Sequence, residues 1–256
     1  MLNIDKLREE IDSIDTQLVE LFEKRMQVAK SICKYKKENK MPIYNGNREE
    51  QLLLQRTNLL NDGELSHFAQ RFFSGLMEIS RDYQTNLSLN KNIVLIGIMG
   101  CGKTKKGTLL AERLNIPFVD VDLEIEQAQK MTIPEIFAKY GEDEFRRLEG
   151  EKIKELSKST HCIISTGGGV VLNPNNMKVL KENGIVIFLN RDIDAIAGDI
   201  DTAMRPLLAN GTEALYKIYN ERLALYQKWC DIEISGNTTV VEAVENILCE
   251  LQKTPL

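Results

Sequence analysis

A chain of 256 residues is long enough for one large domain or two ordinary ones. With 43% hydrophobic and 28% charged residues it has the composition of soluble globular proteins, which excludes a disordered or collagen-like chain. The net charge of −5 argues against bulk nucleic-acid binding. No stretch approaches the roughly 20 apolar residues that cross a bilayer. The opening Met1–Lys6 lacks the apolar core of a secretion signal, so a cytoplasmic protein with no membrane partner is expected. Five widely spaced cysteines with no C-x-x-C pair fit a reduced compartment and no zinc site. Only two histidines, His67 and His161, are present. Histidine-based chemistry is therefore set aside in favour of Arg, Lys, Asp and backbone amides.

Residues 4 to 35 carry one long helical pattern. Ile4, Leu7, Ile11, Ile14, Leu18, Leu21, Val28, Ile32 and Tyr35 recur at helical spacings, with Arg25 where the seam calls for an apolar residue. No Pro or Gly interrupts residues 1–41, and Pro42 supplies the stop. The run Lys30, Lys34, Lys36, Lys37 and Lys40 reads, for the most part, as a solvated face. A second helix is expected from Arg48 to about Asn61, broken by Asp62-Gly63. A third runs from Leu65 to about Leu87, with Phe68, Phe72, Phe73, Leu76, Met77 and Ile79 on one face. Three such helices have trouble enclosing their own apolar stripes, and an interleaved homodimer through them is the natural remedy.

Beyond the polar linker Asn86–Asn92 the pattern changes. Short apolar runs at 93–98, 117–121, 162–165, 185–189 and 232–234 alternate with helical stretches at 103–114, 132–139, 144–158, 174–183, 212–228 and 239–252. Alternation of this kind indicates βαβ units and a parallel sheet. The expected architecture is multidomain: an all-α intertwined helical domain, residues 1–88, followed by an α/β domain with a parallel sheet, residues 89–256.

Gly97-Ile98-Met99-Gly100-Cys101-Gly102-Lys103-Thr104 fits G-x-x-x-x-G-K-[ST], following a predicted strand and opening a predicted helix. Glycines there let backbone N–H groups wrap phosphates, and the helix N-terminus adds partial positive charge. Lys103 would reach the β/γ-phosphates and Thr104 would ligate Mg²⁺. Asp120-Val121-Asp122 closes the second strand, placing both carboxylates at the carboxyl edge of the sheet, where ligands bind in such folds. Phe145-Arg146-Arg147-Leu148-Glu149 falls on a helix, Thr166-Gly167-Gly168-Gly169 ends the third strand, and Met204-Arg205-Pro206-Leu207-Leu208 sits in a loop before Arg222. Taken alone, the Arg146–Arg147–Glu149 cluster reads as surface ion pairs, and Arg147 is left as structural.

Taken together, the P-loop, D-x-D, F-R-R-x-E, G-G-G and R-P-L-L, in order and at similar spacing across residues 92–253, resemble shikimate kinase. The resemblance implies ATP as co-substrate, with nucleotide contacts from Gly100, Cys101, Gly102, Lys103, Thr104, Lys105 and Arg205, and Mg²⁺ held by Thr104 and, through water, Asp120. It implies that Asp122 holds and polarises the attacking hydroxyl of shikimate, that Arg146 and Arg222 grip its carboxylate, and that Gly168 and Gly169 present backbone near its ring. Arg205, on a lid, would meet the transferring phosphoryl group. One departure stands out. Where the family carries an arginine that packs on adenine, this chain reads Asp194-Ala195-Ile196-Ala197-Gly198-Asp199-Ile200-Asp201. Weaker nucleotide binding, or adenine held in another way, is expected.

In the first half, Lys36 lies eleven residues after Arg25 and so about 20° from its direction on a helix, whereas Arg8 points about 100° away. Arg8 could join them only from a second copy. Leu7-Arg8-Glu9-Glu10-Ile11-Asp12-Ser13-Ile14-Asp15, followed by Arg25, Lys36, Arg48-Glu49 and Ser80-x-x-x-Gln84, resembles chorismate mutase of the all-helical type over residues 2–87. That resemblance implies that Arg25 and a partner's Arg8 hold the carboxylates of chorismate, and that Lys36 and Gln84 address its ether oxygen. Glu49 would take the ring hydroxyl, with Arg48 and Ser80 in support. Asn45 stands where the family often has Asp.

The reading is a bifunctional enzyme of aromatic amino-acid biosynthesis, with shikimate, ATP and chorismate as its small-molecule partners. One competing reading makes the helical domain a non-catalytic dimerisation or effector-binding module, which the cluster of cations disfavours. Another is a P-loop kinase for a different hydroxylated substrate, which Arg146, Arg222 and the triple glycine disfavour.

Overall fold

A computed structural model describes residues 3–199 and 212–255. The chain divides into two compact units, Met1–Ser88 with Leu251–Leu256, and Leu89–Glu250.

In the first unit, α1 (Ile4–Glu38) is a single helix of 35 residues, about 50 Å long, capped by the Asn3 side chain on Asp5 N at 2.9 Å. Lys40, in the left-handed region at φ 52°, ends the run ahead of Pro42. Asn45 caps α2 (Gly46–Thr57) by accepting from Arg48 N at 3.1 Å, and α3 spans Ser66–Ser88. The second helix therefore stops about four residues before the expected end.

The face of α1 that packs within the unit is not the apolar stripe. Its buried residues are Ala29 and Cys33, and Arg25 and Lys36 continue the same line at spacings of four and three. Small side chains there let α1 lie close to α3, with Cys33 Sγ 3.5 Å from Gln84 O. The stripe itself is open: Ile4, Ile11, Ile14, Leu21 and Val28 are each more than half exposed, as are Phe68 and Phe72 on α3.

The tail, expected to belong with the second domain, completes this unit. Tyr44 N donates to Gln252 O at 2.9 Å, Arg81 Nε to Gln252 Oε1 at 3.1 Å, and Gln252 Nε2 to Asp82 Oδ1 at 3.2 Å. Gln252 is buried, and these bonds satisfy its polar atoms.

The second unit is built on a five-stranded parallel sheet in the order β2-β3-β1-β4-β5. The strands are β1 (Asn92–Ile96), β2 (Phe118–Asp120), β3 (Ile163–Ser165), β4 (Gly184–Asn190) and β5 (Ile232–Ser235). β1 is central and buried at every position, which is why it reads as an unbroken apolar run without alternation. Crossovers are made by α4 (Lys103–Leu114), α5 (Val121–Gln129), α6 (Ile133–Leu156), α7 (Pro174–Asn183), α8 (Ile193–Asp199) and α9 (Thr212–Trp229), and α10 (Val240–Lys253) follows β5.

α4 and α7 match the expected ranges residue for residue. The two helices expected at 132–139 and 144–158 are the halves of α6, which opens on a Thr132–Glu135 capping box and bends at Gly141 (φ 83°, ψ 172°). α5 and α8 were not expected. Asp120 ends β2 and also caps α5, so Asp122 sits in the first turn of a helix and not at the end of a strand. No described helix is long and apolar enough to cross a membrane.

Candidate active sites

At the carboxyl edge of the sheet, a cleft of about 990 Å³ is lined by the loop between β1 and α4 together with Asp120, Asp122, Thr166, Gly168, Arg191 and the turn after β5. Gly102, at φ 88°, holds a conformation that a side chain disfavours and turns the loop into α4. Lys103 Nζ donates to Gly97 O at 2.8 Å and Ile98 O at 3.0 Å, folded back along the loop. A second lysine, Lys106, is buried beside it, with Nζ donating to Cys101 O at 2.8 Å. Burial lowers the Lys106 pKa, and the positive charges of Arg191 and Lys103 add to that.

Thr104 Oγ1 and Ser165 Oγ both donate to Asp120 Oδ2, at 2.8 and 3.1 Å. A hydroxyl and a carboxylate converging in this way form the hard oxygen donor set that suits Mg²⁺. No group of three or more His, Cys, Asp or Glu side chains with metal-holding geometry stands among the described residues.

Asp122 is half-buried, and its Oδ1, itself out of solvent, has no hydrogen-bond partner. Burial, then the charges of Asp120 and Glu149, push its pKa up to about 7 against the opposing pull of Lys103 and Arg146. Beside it Glu149, fully buried, receives Arg146 Nη1 at 3.0 Å while its Oε1 stays unpartnered. Burial raises the Glu149 pKa, and Arg146 and Arg222 oppose the shift. Arg222 Nη1 and Tyr226 Oη donate to Gly168 O at 3.1 and 2.5 Å, and Arg222 Nε is unpartnered. Gly169 backs directly onto the guanidinium of Arg146, leaving no room for a Cβ. Orphaned buried polar atoms of both signs, gathered around Gly168, describe a site built for a polar ligand. Gly100, Cys101 and Lys105 line the cleft, and Arg205 lies outside the described residues.

The surface ion-pair reading holds for Arg147, which pairs with Glu144 and Glu151 in solvent, and fails for Arg146 and Glu149. Glu149, Tyr226, Lys106 and Arg191 were missed. The i, i+3 spacing of Arg146 to Glu149 and the i, i+4 spacing of Arg222 to Tyr226 were the available signals.

In the helical unit, Arg25 Nη1 donates to Ser80 Oγ and, at 3.2 Å, to Leu76 O. It borders a hollow of about 160 Å³ with Leu52, Leu53, Arg56, Phe73 and Met77. Lys36 Nζ donates to Ile43 O at 2.5 Å. Its pKa is lowered by burial and partly restored by the Cys33 and Glu49 charges. Glu49 is paired with Arg81, which sequence reasoning missed although it adjoins Ser80. Gln84 is buried, its Nε2 on Ser80 O at 3.1 Å and its Oε1 unpartnered. The fold thus gathers Arg25, Lys36, Glu49, Ser80 and Gln84. It leaves Arg8 exposed beside Asp5, Arg48 exposed, and Asn45 occupied as a helix cap.

A strand–glycine loop–helix carrying lysine and threonine, set on a five-stranded parallel sheet, defines a P-loop phosphotransferase. Residues 99–252 match the model of the shikimate kinase family and residues 7–85 that of chorismate mutase type II. The shikimate kinase of Clostridium botulinum (strain Alaska E43 / Type E3) is 42% identical over 159 residues, 62% of this chain and 96% of the relative. That of Caldicellulosiruptor bescii is 44% identical over 162 residues, 62% and 94%. Among solved structures, shikimate kinase from Acinetobacter baumannii in complex with shikimate is 34% identical, covering 64% of this chain and 93% of that one, with a TM-score of 0.62. The Aquifex aeolicus enzyme is 37% identical, covering 62% and 95%, with a TM-score of 0.55. The chain belongs to the shikimate kinase family, and it carries a chorismate mutase type II domain ahead of the kinase. It is accordingly a bifunctional enzyme of aromatic biosynthesis, a transferase and an isomerase, and the kinase family implies ATP as co-substrate.

Proposed function

We propose that residues 89–256 transfer the γ-phosphoryl group of ATP to shikimate, giving shikimate 3-phosphate, and that residues 1–88 rearrange chorismate to prephenate. The Asp122 carboxyl, with its free Oδ1 beside the Arg146–Glu149 pair, carries the kinase reading. Asp122 accepts the proton of the substrate hydroxyl as its oxygen attacks the γ-phosphorus and the bond to the β-phosphate oxygen breaks, releasing ADP. Arg146 and Arg222 hold the substrate carboxylate, a match of fork to fork. Lys103 and Arg205 neutralise charge on the phosphoryl group, and the loop amides from Gly100 to Lys105 position it. Thr104 and Asp120 would hold Mg²⁺, which would supply positive charge against the phosphates.

The mutase reaction needs no acid, base or nucleophile, only a site that holds the compact conformer and stabilises charge on the breaking ether bond. Arg25 is half-buried with neutral hydrogen-bond partners, which fits a guanidinium that awaits a carboxylate. Lys36 and Gln84 address the ether oxygen, Glu49 the ring hydroxyl, and Arg8 of a second copy the other carboxylate. Ser80 orients Arg25, while Arg48 and Asn45 border the site. The open stripe on α1 is the surface through which two copies interleave into a homodimer, in the cytoplasm.

The test uses the full chain. Asp122→Asn should abolish shikimate-dependent ADP release and spare prephenate formation, and Arg25→Ala should do the reverse. Prephenate formation absent from a wild-type chain that sediments as a dimer would make the helical unit a regulatory module.

A further inference from the structure

One cation in the nucleotide cleft has no part in the reading above. Arg191 follows β4 directly, and its backbone is wedged against Gly236, where a Cβ would stand 2.6 Å from Arg191 Cβ and 2.8 Å from its Cα. Two bonds lock this corner to the turn after β5: Gly236 N donates to Asn190 O at 2.7 Å and Asp192 N to Asn237 Oδ1 at 2.7 Å. The side chain is therefore aimed by rigid backbone and not by a free loop.

From that corner the guanidinium reaches over the phosphate loop. Its Nη1 donates to Gly100 O at 3.3 Å and its Nη2 pairs with Asp199 at the end of α8. The other two acids of this segment are committed elsewhere. Asp192 Oδ1 caps α8 on Asp194 N at 2.8 Å, and Asp194 accepts from Tyr216 Oη at 2.6 Å. Asp199 is largely exposed, with 66% of its side chain in solvent, and its ion pair among the described residues is with Arg191. A guanidinium one hydrogen bond from a phosphate loop, held by an exposed carboxylate that also lines the cleft, faces two competing anions.

We propose that Arg191 binds the phosphate chain of the nucleotide, and that Asp199 holds its guanidinium until phosphate displaces it. This rests on the kinase reading. It supplies a nucleotide-side cation in a segment whose sequence offers mostly acids, and it makes Asp199 an internal competitor that lowers nucleotide affinity.

Calorimetric titration of the full chain with ADP, and separately with inorganic tripolyphosphate, both with magnesium, tests it. Arg191→Gln should weaken both ligands about tenfold. Asp199→Asn should tighten both by a factor of a few, the worth of an exposed ion pair. The KM for shikimate should not move in either variant. A mere structural pair predicts the opposite sign for Asp199→Asn. Weakened ADP binding in that variant, or unchanged binding in Arg191→Gln, overturns the proposal. Loss of ADP affinity in Arg191→Gln with tripolyphosphate unaffected would assign the guanidinium to the base and overturn the phosphate assignment. A wild-type chain that binds neither ligand would sink the kinase reading itself.

Discussion

Asp122 and Glu149 each turn an unpartnered carboxyl oxygen toward the same glycine. A Cβ on Gly167 would lie 2.8 Å from Asp122 Oδ1 and 2.9 Å from Glu149 Oε1, closer than real Cβ contacts come. Two acids converge there because the turn after the third strand carries a residue with no side chain. Gly167→Ala should therefore displace Asp122 and cut kinase kcat/KM by at least about 100-fold while prephenate formation persists. Steady-state assays of both activities on one preparation check this.

The raised Asp122 pKa fixes the sign of two pH effects. Phosphoryl transfer needs the carboxylate, so kcat/KM for shikimate should fall as pH drops below about 7. Stability runs the other way. Between about pH 4 and about pH 7 the folded state holds a proton that the unfolded chain releases, so this group's contribution is full below that window and is lost as pH rises through it. Asp122→Asn should melt higher than wild type at pH 8 and at the same temperature at pH 4. Thermal melts across that range decide it.

Glu149 touches Arg146 and not the reacting atoms, which makes it a positioning residue. Glu149→Gln keeps the shape and removes the charge that aims the guanidinium. Shikimate KM should rise about tenfold with kcat little changed. A fall in kcat at constant KM would place Glu149 in the chemistry instead.

Arg25 has its charge partly desolvated, and its pKa is lowered by burial. Its removal should abolish mutase turnover and leave the melting temperature unchanged or higher. A strongly destabilised Arg25→Ala with normal prephenate formation would show the residue to be structural.

Leu18→Glu puts a charge on the open stripe of α1 at a position that contributes nothing to the packed face. It should convert a dimer to a monomer in sedimentation, with loss of prephenate formation and retention of ADP release. A Leu18→Glu chain that remains dimeric would place the interface elsewhere.

Much of the kinase unit could be read from the chain because a central parallel strand is buried on both faces and needs no alternation, as Ile93–Ile96 show. The phosphate loop was legible for a different reason: glycine spacing, lysine and threonine act through local geometry. In α1 the periodicity marked the helix and a stripe the unit does not enclose, whereas the packed side is marked only by Ala29 and Cys33. Burial within the unit does not follow from hydrophobicity where an apolar stripe is left open. Glu149 and Arg191 escaped because their meaning lies in contacts across 18 to 91 residues of sequence, Glu149 beside Gly167 and Arg191 on Gly100.

The grouping of Leu251–Leu256 with the first unit changes how the fusion is to be handled. Residues 89–250 form the α/β unit, and the helical unit takes up chain on either side of it. A gene fragment cut near residue 90 would deprive the helical unit of Gln252 and of its bonds to Tyr44, Arg81 and Asp82.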